Sequence, residues 1–185
     1  MRIPAVFVAF SLAAVAAHAT PTAPPPAKTI DSLFSALKRA QSPEDAKPIE
    51  EQIGVIFLES GSASVDLLMT RGTAALTAGD NDTARKLFTS VTEIAPGYAE
   101  GWHQRAQLEV AANNDGGAMV SLQRVITLNP RHFKAMAELA GMLEDYGDKG
   151  AALKLYRRAL ALDPQLEGID RHVKALTTQV EGQGI

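Results

Sequence analysis

The sequence predicts an all-α protein in which helix hairpins stack into an α-solenoid, and three observations carry that prediction. A nine-residue stretch recurs three times, and each copy starts with a bulky residue, has an apolar middle and ends in proline. The copies start 34 residues apart, a period typical of helical repeat proteins. Small residues and turn-forming residues recur at the same period. The three copies are FTSVTEIAP at 88–96, LQRVITLNP at 122–130 and YRRALALDP at 156–164.

Residues 1–19 have the pattern of a secretory signal peptide. Met1-Arg2 supplies a positive charge, residues 3–17 are uncharged and mostly apolar, and Ala17-His18-Ala19 has the small-x-small pattern that signal peptidase cuts after. We expect cleavage after Ala19 and a periplasmic protein, with secretion as the less favoured destination. The alternative is a retained membrane anchor, which the shortness of the apolar run disfavours.

Residues 20–29, TPTAPPPAKT, favour an extended polyproline conformation and are interpreted as a spacer. Residues 30–61 then show two helical patterns outside the repeat, with Ser42 as N-cap and Pro43 as first residue of the second helix. Gly61 is expected to take a positive φ where that helix ends. We expect this pair to cover one end of the array. The apolar residues that share a helical face are Leu33, Phe34 and Leu37 in the first pattern, and Ile49, Ile53, Ile56 and Phe57 in the second.

The repeats form three units, 65–98, 99–132 and 133–166, each expected to fold as two helices joined by a turn. Small residues at matching places let the two helices approach closely, because the interaxial distance depends on the side chains at the contact. The terminal proline ends each unit at the same place. Matching places hold a small residue in the first helix (Gly72, Ala106, Ala140), another in the second (Ala84, Ala118, Ala152), a bulky residue (Phe88, Leu122, Tyr156) and the proline (Pro96, Pro130, Pro164).

These units resemble the tetratricopeptide repeat (TPR), a 34-residue helix-turn-helix that stacks into a right-handed superhelix. Trp102 stands at the early aromatic place of that pattern. The whole chain also resembles the small exported TPR proteins of alphaproteobacteria. Glu109 departs from the pattern where a bulky apolar residue is preferred, which predicts a local packing problem in the middle unit. Val91 and Val125 depart from it where alanine is preferred.

Residues 167–182 form a last helical pattern in which Ile169, Val173, Leu176 and Val180 are spaced by four, three and four. A stacked array needs a terminal element with a polar outer face, so we interpret this segment as a capping helix. The alternative is an intermolecular seam that makes the protein a homodimer through its C-terminal helix. This alternative is disfavoured because a sustained coiled coil needs several heptads and the segment has fewer than two.

Composition excludes several functional classes. The chain has 185 residues, a net charge of −3 and no cysteine. The charge disfavours nucleic acid as a partner, and the lack of cysteine removes disulfides and thiolate metal sites. The pair Glu100 and His103 falls short of a zinc ligand set, so no metal site is predicted. No nucleophile motif or phosphate loop occurs, so we expect neither a cofactor nor catalytic activity.

The remaining candidate is a surface. In the TPR architecture the first helices of successive units line a concave groove, and three units at about 10 Å each would hold about nine extended residues. The TPR subclass that grips a C-terminal carboxylate is disfavoured, because Met69 and Thr73 replace its lysine and asparagine and Glu138 replaces its arginine. The predicted partner-binding residues of the groove are Met69, Thr73, His103, Gln107, Lys134 and Ala137.

The sequence therefore predicts a non-enzymatic exported scaffold that binds a peptide or protein partner in cell-envelope assembly or maintenance. The alternative is a self-associating structural envelope protein without a peptide ligand. A basic strip on the second helices is a further candidate surface, although interspersed acids favour a solvated face. The strip comprises Arg85, Lys86, Arg124, Lys154, Arg157 and Arg158.

Overall fold

The computed structural model describes residues 29–182, and within that range every regular element is an α-helix. The predicted signal peptide and all but the last residue of the predicted spacer lie outside the described residues. No helix in the range 29–182 is long and apolar enough to cross a bilayer. The helices are α1 Ile30–Leu37, α2 Pro43–Phe57, α3 Ala63–Thr77, α4 Asn81–Ile94, α5 Ala99–Ala111, α6 Asp115–Leu128, α7 Phe133–Asp145, α8 Lys149–Leu162 and α9 Ile169–Val180.

The repeat turns are specified locally and identically. In each hairpin (α3 with α4, α5 with α6, α7 with α8) a residue with positive φ ends the first helix, and the next residue caps the second through its side chain. Such a cap satisfies a backbone N–H that the helix leaves unpaired. The positive-φ residues are Gly79, Asn113 and Gly147, and the caps are Asp80, Asn114 and Asp148.

The small residues of the repeat have the packing role that the period predicted. A Cβ added to Gly72 would lie 2.5 Å from the Phe88 ring of the partner helix, so only glycine fits there. Ala106 and Ala140 are buried at the matching places of the next two units. The structure thus confirms the predicted all-α solenoid of three hairpins.

Glu109 does not disturb the middle unit, contrary to the expectation from the repeat pattern. The carboxylate is buried, but it accepts hydrogen bonds from Ser121 Oγ at 2.7 Å and from Arg105 Nε at 3.0 Å. Gly117 leaves room, because a Cβ there would lie 3.0 Å from the Glu109 carboxyl carbon. A hydrogen-bonded carboxylate therefore replaces the apolar residue, which removes the cost of burying an unpaired polar group.

α9 caps the third unit. Leu176 is fully buried against α8, and Ile169 and Val173 pack against the same small core. Arg157 of α8 holds the outer end of α9 through Glu181 at 2.6 Å and the Thr177 hydroxyl at 3.1 Å. The apolar face of this helix is thus used within the chain.

The N-terminal pair does not cover one end of the array, and that expectation is wrong. α1 packs on the turns that follow α6 and α8: Phe34 meets the Phe133 ring edge-on at 6.2 Å, and the Ala40 carbonyl accepts from Gln165 Nε2 at 3.2 Å. α2 lies beside the starts of α5 and α7, the first helices of the second and third units. The apolar faces of both helices pack against Phe133 and the core around α6 and α7. The repeat spacing does not predict this contact.

Candidate functional site: a groove divided by α2

α2 lies across part of the face that the first helices present as a groove. At its middle, Glu50 pairs with Lys134 of α7 at 3.1 Å. Near its end, the ring of Phe57 stacks on that of His132 at 5.0 Å. The Leu58 carbonyl, just after α2, accepts a hydrogen bond from the Tyr98 hydroxyl at 2.7 Å. The groove therefore has a covered part under α2 and an open part beside it.

A cleft of about 190 Å³ lies in the covered part, between α2 and the starts of α5 and α7. Its walls are mostly apolar, with Ile53, Phe57 and Phe133 among them. Gly54 faces it without a side chain, and a Cβ there would meet no atom within 4 Å.

A network of charged groups, buried except for Glu138, lies along this cleft. His103 Nδ1 lies 3.3 Å from Glu100 Oε1, and His103 Nε2 lies 3.1 Å from both carboxylate oxygens of Glu138 on α7. His132 Nε2 lies 3.3 Å from the other oxygen of Glu100. Gln104 Nε2 also donates to Glu100, at 3.0 Å. The network joins the second and third units under α2.

The hydrogen bonds determine the charges of this network. Burial opposes the charge of His103, but the bonds to Glu100 and Glu138 outweigh it and raise the pKa of His103 to about 9. Burial also opposes ionisation of Glu100, and the bonds from His103 and His132 overcome it and hold the pKa of Glu100 well below its usual range. At neutral pH one imidazolium thus stands between two carboxylates, which leaves one net negative charge.

Glu100, His103 and His132 also place potential metal-ligand atoms within 4.8 Å of one another. The sequence-based argument against a metal counted only Glu100 and His103, and the fold adds His132. However, His132 Nδ1 accepts a hydrogen bond from the Ala135 N–H at 3.2 Å as the N-cap of α7, so its Nε2 carries the proton. A protonated Nε2 has no lone pair for a metal, and the geometry favours a hydrogen-bonded network.

The open part of the groove contains two depressions outside the cleft under α2. The threonine depression, of about 600 Å³, lies along α3 and is lined by Leu58, Asp66, Met69, Thr70, Thr73, Ala74 and Thr77. The acidic notch, of about 410 Å³, lies between α5 and α7 and is lined mainly by Gln107, Val110, Glu138, Gly141, Met142 and Asp145.

Comparison with known proteins identifies a relative of similar sequence. Over 157 residues the chain is 31% identical to a TPR repeat-containing protein of Rhizobium etli, which covers 85% of this chain and 77% of that protein. The chain belongs to the TPR proteins. This confirms the sequence-based assignment, and the source of the relative is an alphaproteobacterium, as the resemblance predicted. No family model matches the sequence.

Solved structures share the fold of this TPR protein. The first TPR domain of Spaghetti, bound to the HSP90 peptide SRMEEVD, superposes with a TM-score of 0.57 at 18% identity and covers 63% of this chain and 93% of that one. MamA superposes with a TM-score of 0.57 at 17% identity and covers 84% of this chain and 79% of its own. These identities establish the TPR architecture alone.

The six residues predicted to line the TPR groove have different environments. Thr73 and Gln107 are exposed in the open part, and Met69 is buried at its edge. His103 is 6% exposed and belongs to the network, and Lys134 pairs with Glu50. Ala137, also predicted, is half-buried in the core between α7 and α8.

Sequence reasoning missed His132 and the contact of Glu138 with His103. A signal was available, because residues about 34 apart are neighbours in a stacked array. His103 and Glu138 are 35 apart, and Glu100 and His132 are 32 apart. The place of α2 left no comparable signal.

A third buried carboxylate, besides Glu100 and Glu109, lies at the end of α8. Asp163 is fully buried; its Oδ1 accepts from the Gln165 N–H at 3.1 Å, and its Oδ2 has no partner among the described residues. Burial, reinforced by the neighbouring carboxylate of Glu50, raises the pKa of Asp163 to about 6. Since Glu50 belongs to α2, Asp163 is electrostatically linked to the helix that covers the groove.

Proposed function

We propose that this TPR protein is a non-enzymatic scaffold that binds a peptide or protein partner in the open part of its groove. The supporting observation is that the threonine depression and the acidic notch both lie on first helices, outside the cleft under α2. Repeat proteins use such faces for binding. α2 takes up most of the covered part and leaves only a cleft of about 190 Å³ there, so the proposal places the partner in the open part.

A fold neighbour supports a peptide as the ligand, since the TPR domain of Spaghetti is bound to an HSP90 peptide. The recognition chemistry would differ here. A carboxylate-rich ligand needs cationic and hydrogen-bonding side chains in the groove. Here Met69, Thr73 and Glu138 stand where the carboxylate-gripping TPR subclass has lysine, asparagine and arginine. Lys134 is held by Glu50 at 3.1 Å.

Catalysis is not part of the proposal. In the buried network both ring nitrogens of His103 face carboxylates, so the imidazolium has no lone pair with which to accept a proton. The hydroxyl of Ser121 donates to Glu109, which is a carboxylate and not a histidine base. Neither arrangement prepares a nucleophile.

The proposed location is the periplasm, with a role in cell-envelope assembly or maintenance. The support is the N-terminal sequence, in which an apolar run follows Arg2 and precedes Ala17-His18-Ala19. Mass spectrometry of the protein from a periplasmic fraction should find Thr20 as the first residue. A chain that retains Met1 and sediments with membranes would contradict cleavage.

The alternative, self-association through the C-terminal helix, loses support because Leu176 and its apolar neighbours pack on α8. We expect a monomer in sedimentation equilibrium at high concentration. A dimer that Val180→Glu dissociates would restore the alternative, since Val180 is the large apolar residue of α9 that remains exposed.

The experiment for the groove is affinity capture from a detergent-solubilised envelope extract. The blocking variant is Thr73→Arg with Gln107→Arg, both on exposed groove positions. The matched control, Thr127→Arg with Gln123→Arg, makes the same two substitutions on exposed positions of α6, the second helix of the middle unit. A partner captured by the wild type and the control, but lost with the blocking variant, supports the proposal. Capture that the blocking variant leaves unchanged would refute the groove as the binding surface.

A further inference from the structure

The acidic notch combines apolar surface with two carboxylates of one sign. Val110 is 48% exposed at the notch, and Met142 adds a flexible apolar side chain. Glu138 and Asp145 lie two turns apart on α7 and thus on the same face of that helix. The notch therefore offers apolar contact between two negatively charged positions.

The described residues neutralise these carboxylates only in part, because Glu138 contacts the His103 imidazolium and Asp145 has no cationic partner among them. The residues that line it include no lysine or arginine in the range 29–182. His103 does contact Glu138, but the same imidazolium also contacts Glu100, so the network keeps one net negative charge. Asp145 ends α7, where the helix dipole adds partial negative charge, and the last turn of α7 carries no basic residue.

The notch also has room for a side chain from outside. Gly141 lies on its floor, and a Cβ there would meet only the Tyr156 hydroxyl, at an ordinary 3.5 Å. The absence of a side chain at Gly141 thus leaves space that is not needed for the packing of α7 on α8.

We propose that the acidic notch binds a lysine or arginine side chain of an extended partner segment, with an apolar neighbour of that residue against Val110 and Met142. The long stem of a basic side chain would cover the apolar floor while its charged head reaches the carboxylates. This inference rests on the proposed peptide-binding function and names the partner chemistry: a basic segment with interspersed apolar residues.

The test is a selection from a display library of random peptides of about nine residues, the length expected for an uncovered groove of three units and thus more than the open part needs, on the immobilised full-length chain. We expect the enriched peptides to share a lysine or arginine next to an apolar residue. Enrichment of neutral or acidic peptides would overturn the inference and leave the peptide-binding function standing. A pool no different from that selected on bare support would overturn both.

The site is then located by measuring the affinity of variants for one enriched peptide by fluorescence anisotropy. Gly141→Leu fills the notch and improves helix propensity, so binding should fall more than about tenfold while the melting temperature is kept or raised. Asp145→Asn should weaken binding by about threefold to tenfold at about 0.05 M NaCl, and less at about 0.5 M. Glu93→Gln, the same charge change on an exposed position of α4, should leave the affinity unchanged.

The competing location is the cleft under α2. Gly54→Leu fills that cleft and should not change the affinity, because the notch lies on the other side of the network. Loss of binding in Gly54→Leu with normal binding in Gly141→Leu would overturn the notch as the site.

Discussion

The covered and open parts of the groove differ although the same repeat positions build both. His103 and Gln107 lie one turn apart on the groove face of α5. His103 is buried between two carboxylates beneath α2, whereas Gln107 is exposed beside the acidic notch. The position of a residue in the repeat determines whether its side chain lies on the groove face. The presence or absence of α2 above it then determines whether that side chain stabilises the fold or remains available to a partner.

The largest expected effect comes from removing the cation of the covered part. His103→Ala leaves Glu100 and Glu138 facing each other without their shared imidazolium, and loss of one partner from a buried ion pair costs about 3–5 kcal/mol of unfolding free energy. Urea unfolding at pH 6 measures it. Because the pKa of His103 is raised to about 9 in the folded state, its contribution is full below about pH 6.5 and is lost as pH rises through about 9.

Gln107→Ala is the matched control for that variant. An exposed position away from such networks changes stability by no more than about 0.5 kcal/mol. Similar losses for both substitutions would mean that the two parts of the groove do not differ in the way described above.

The next effect concerns the attachment of α2. Ile53 is fully buried and Val55 is 61% exposed on the same helix. Ile53→Ala should destabilise by about 2–4 kcal/mol because it leaves a cavity in the core, and it should speed cleavage by Glu-C protease after the exposed Glu59. Val55→Ala should change neither quantity measurably. Equal cleavage rates for the two variants would contradict the attachment of α2 through Ile53.

A smaller effect, with the opposite sign, is expected from Asp163→Asn. Because the folded-state pKa of Asp163 is raised to about 6 from an ordinary 3.8, the folded state binds this proton more tightly, and stability falls as pH rises from about 4 through about 6. Asparagine keeps the turn acceptor, as Asn129 does one unit earlier. The variant should be more stable than the wild type by about 1–2 kcal/mol at pH 7 and nearly equal to it at pH 4.

Chemical denaturation at the two pH values measures this difference. A loss of stability at pH 7 would show that the charged form of Asp163 is the stabilising one.

The smallest expected effect is that of zinc on the covered part. Since His132 Nδ1 accepts from the Ala135 N–H and its Nε2 carries the proton, Zn²⁺ at low stoichiometric excess should leave the melting temperature unchanged. A stoichiometric rise that His132→Asn abolishes would instead identify Glu100, His103 and His132 as a metal site, because asparagine keeps the N-cap.

The sequence alone determined the repeats of this protein, because their instructions are local. A small residue at Gly72, a positive φ at Gly79 and a cap at Asp80 act within one hairpin, and the 34-residue period copies them twice more. The period also implied the register in which His103 and Glu138 meet.

Only the tertiary structure decided the division of the groove. The apolar faces of α1 and α2 indicated that both helices pack on something, but amphipathicity does not specify a partner surface. The Phe34–Phe133 contact fixes where α1 lies, and the Glu50–Lys134 pair and the Tyr98 hydroxyl fix where α2 lies. These contacts join residues 40 or more positions apart, and they depend on the stacking of all three units.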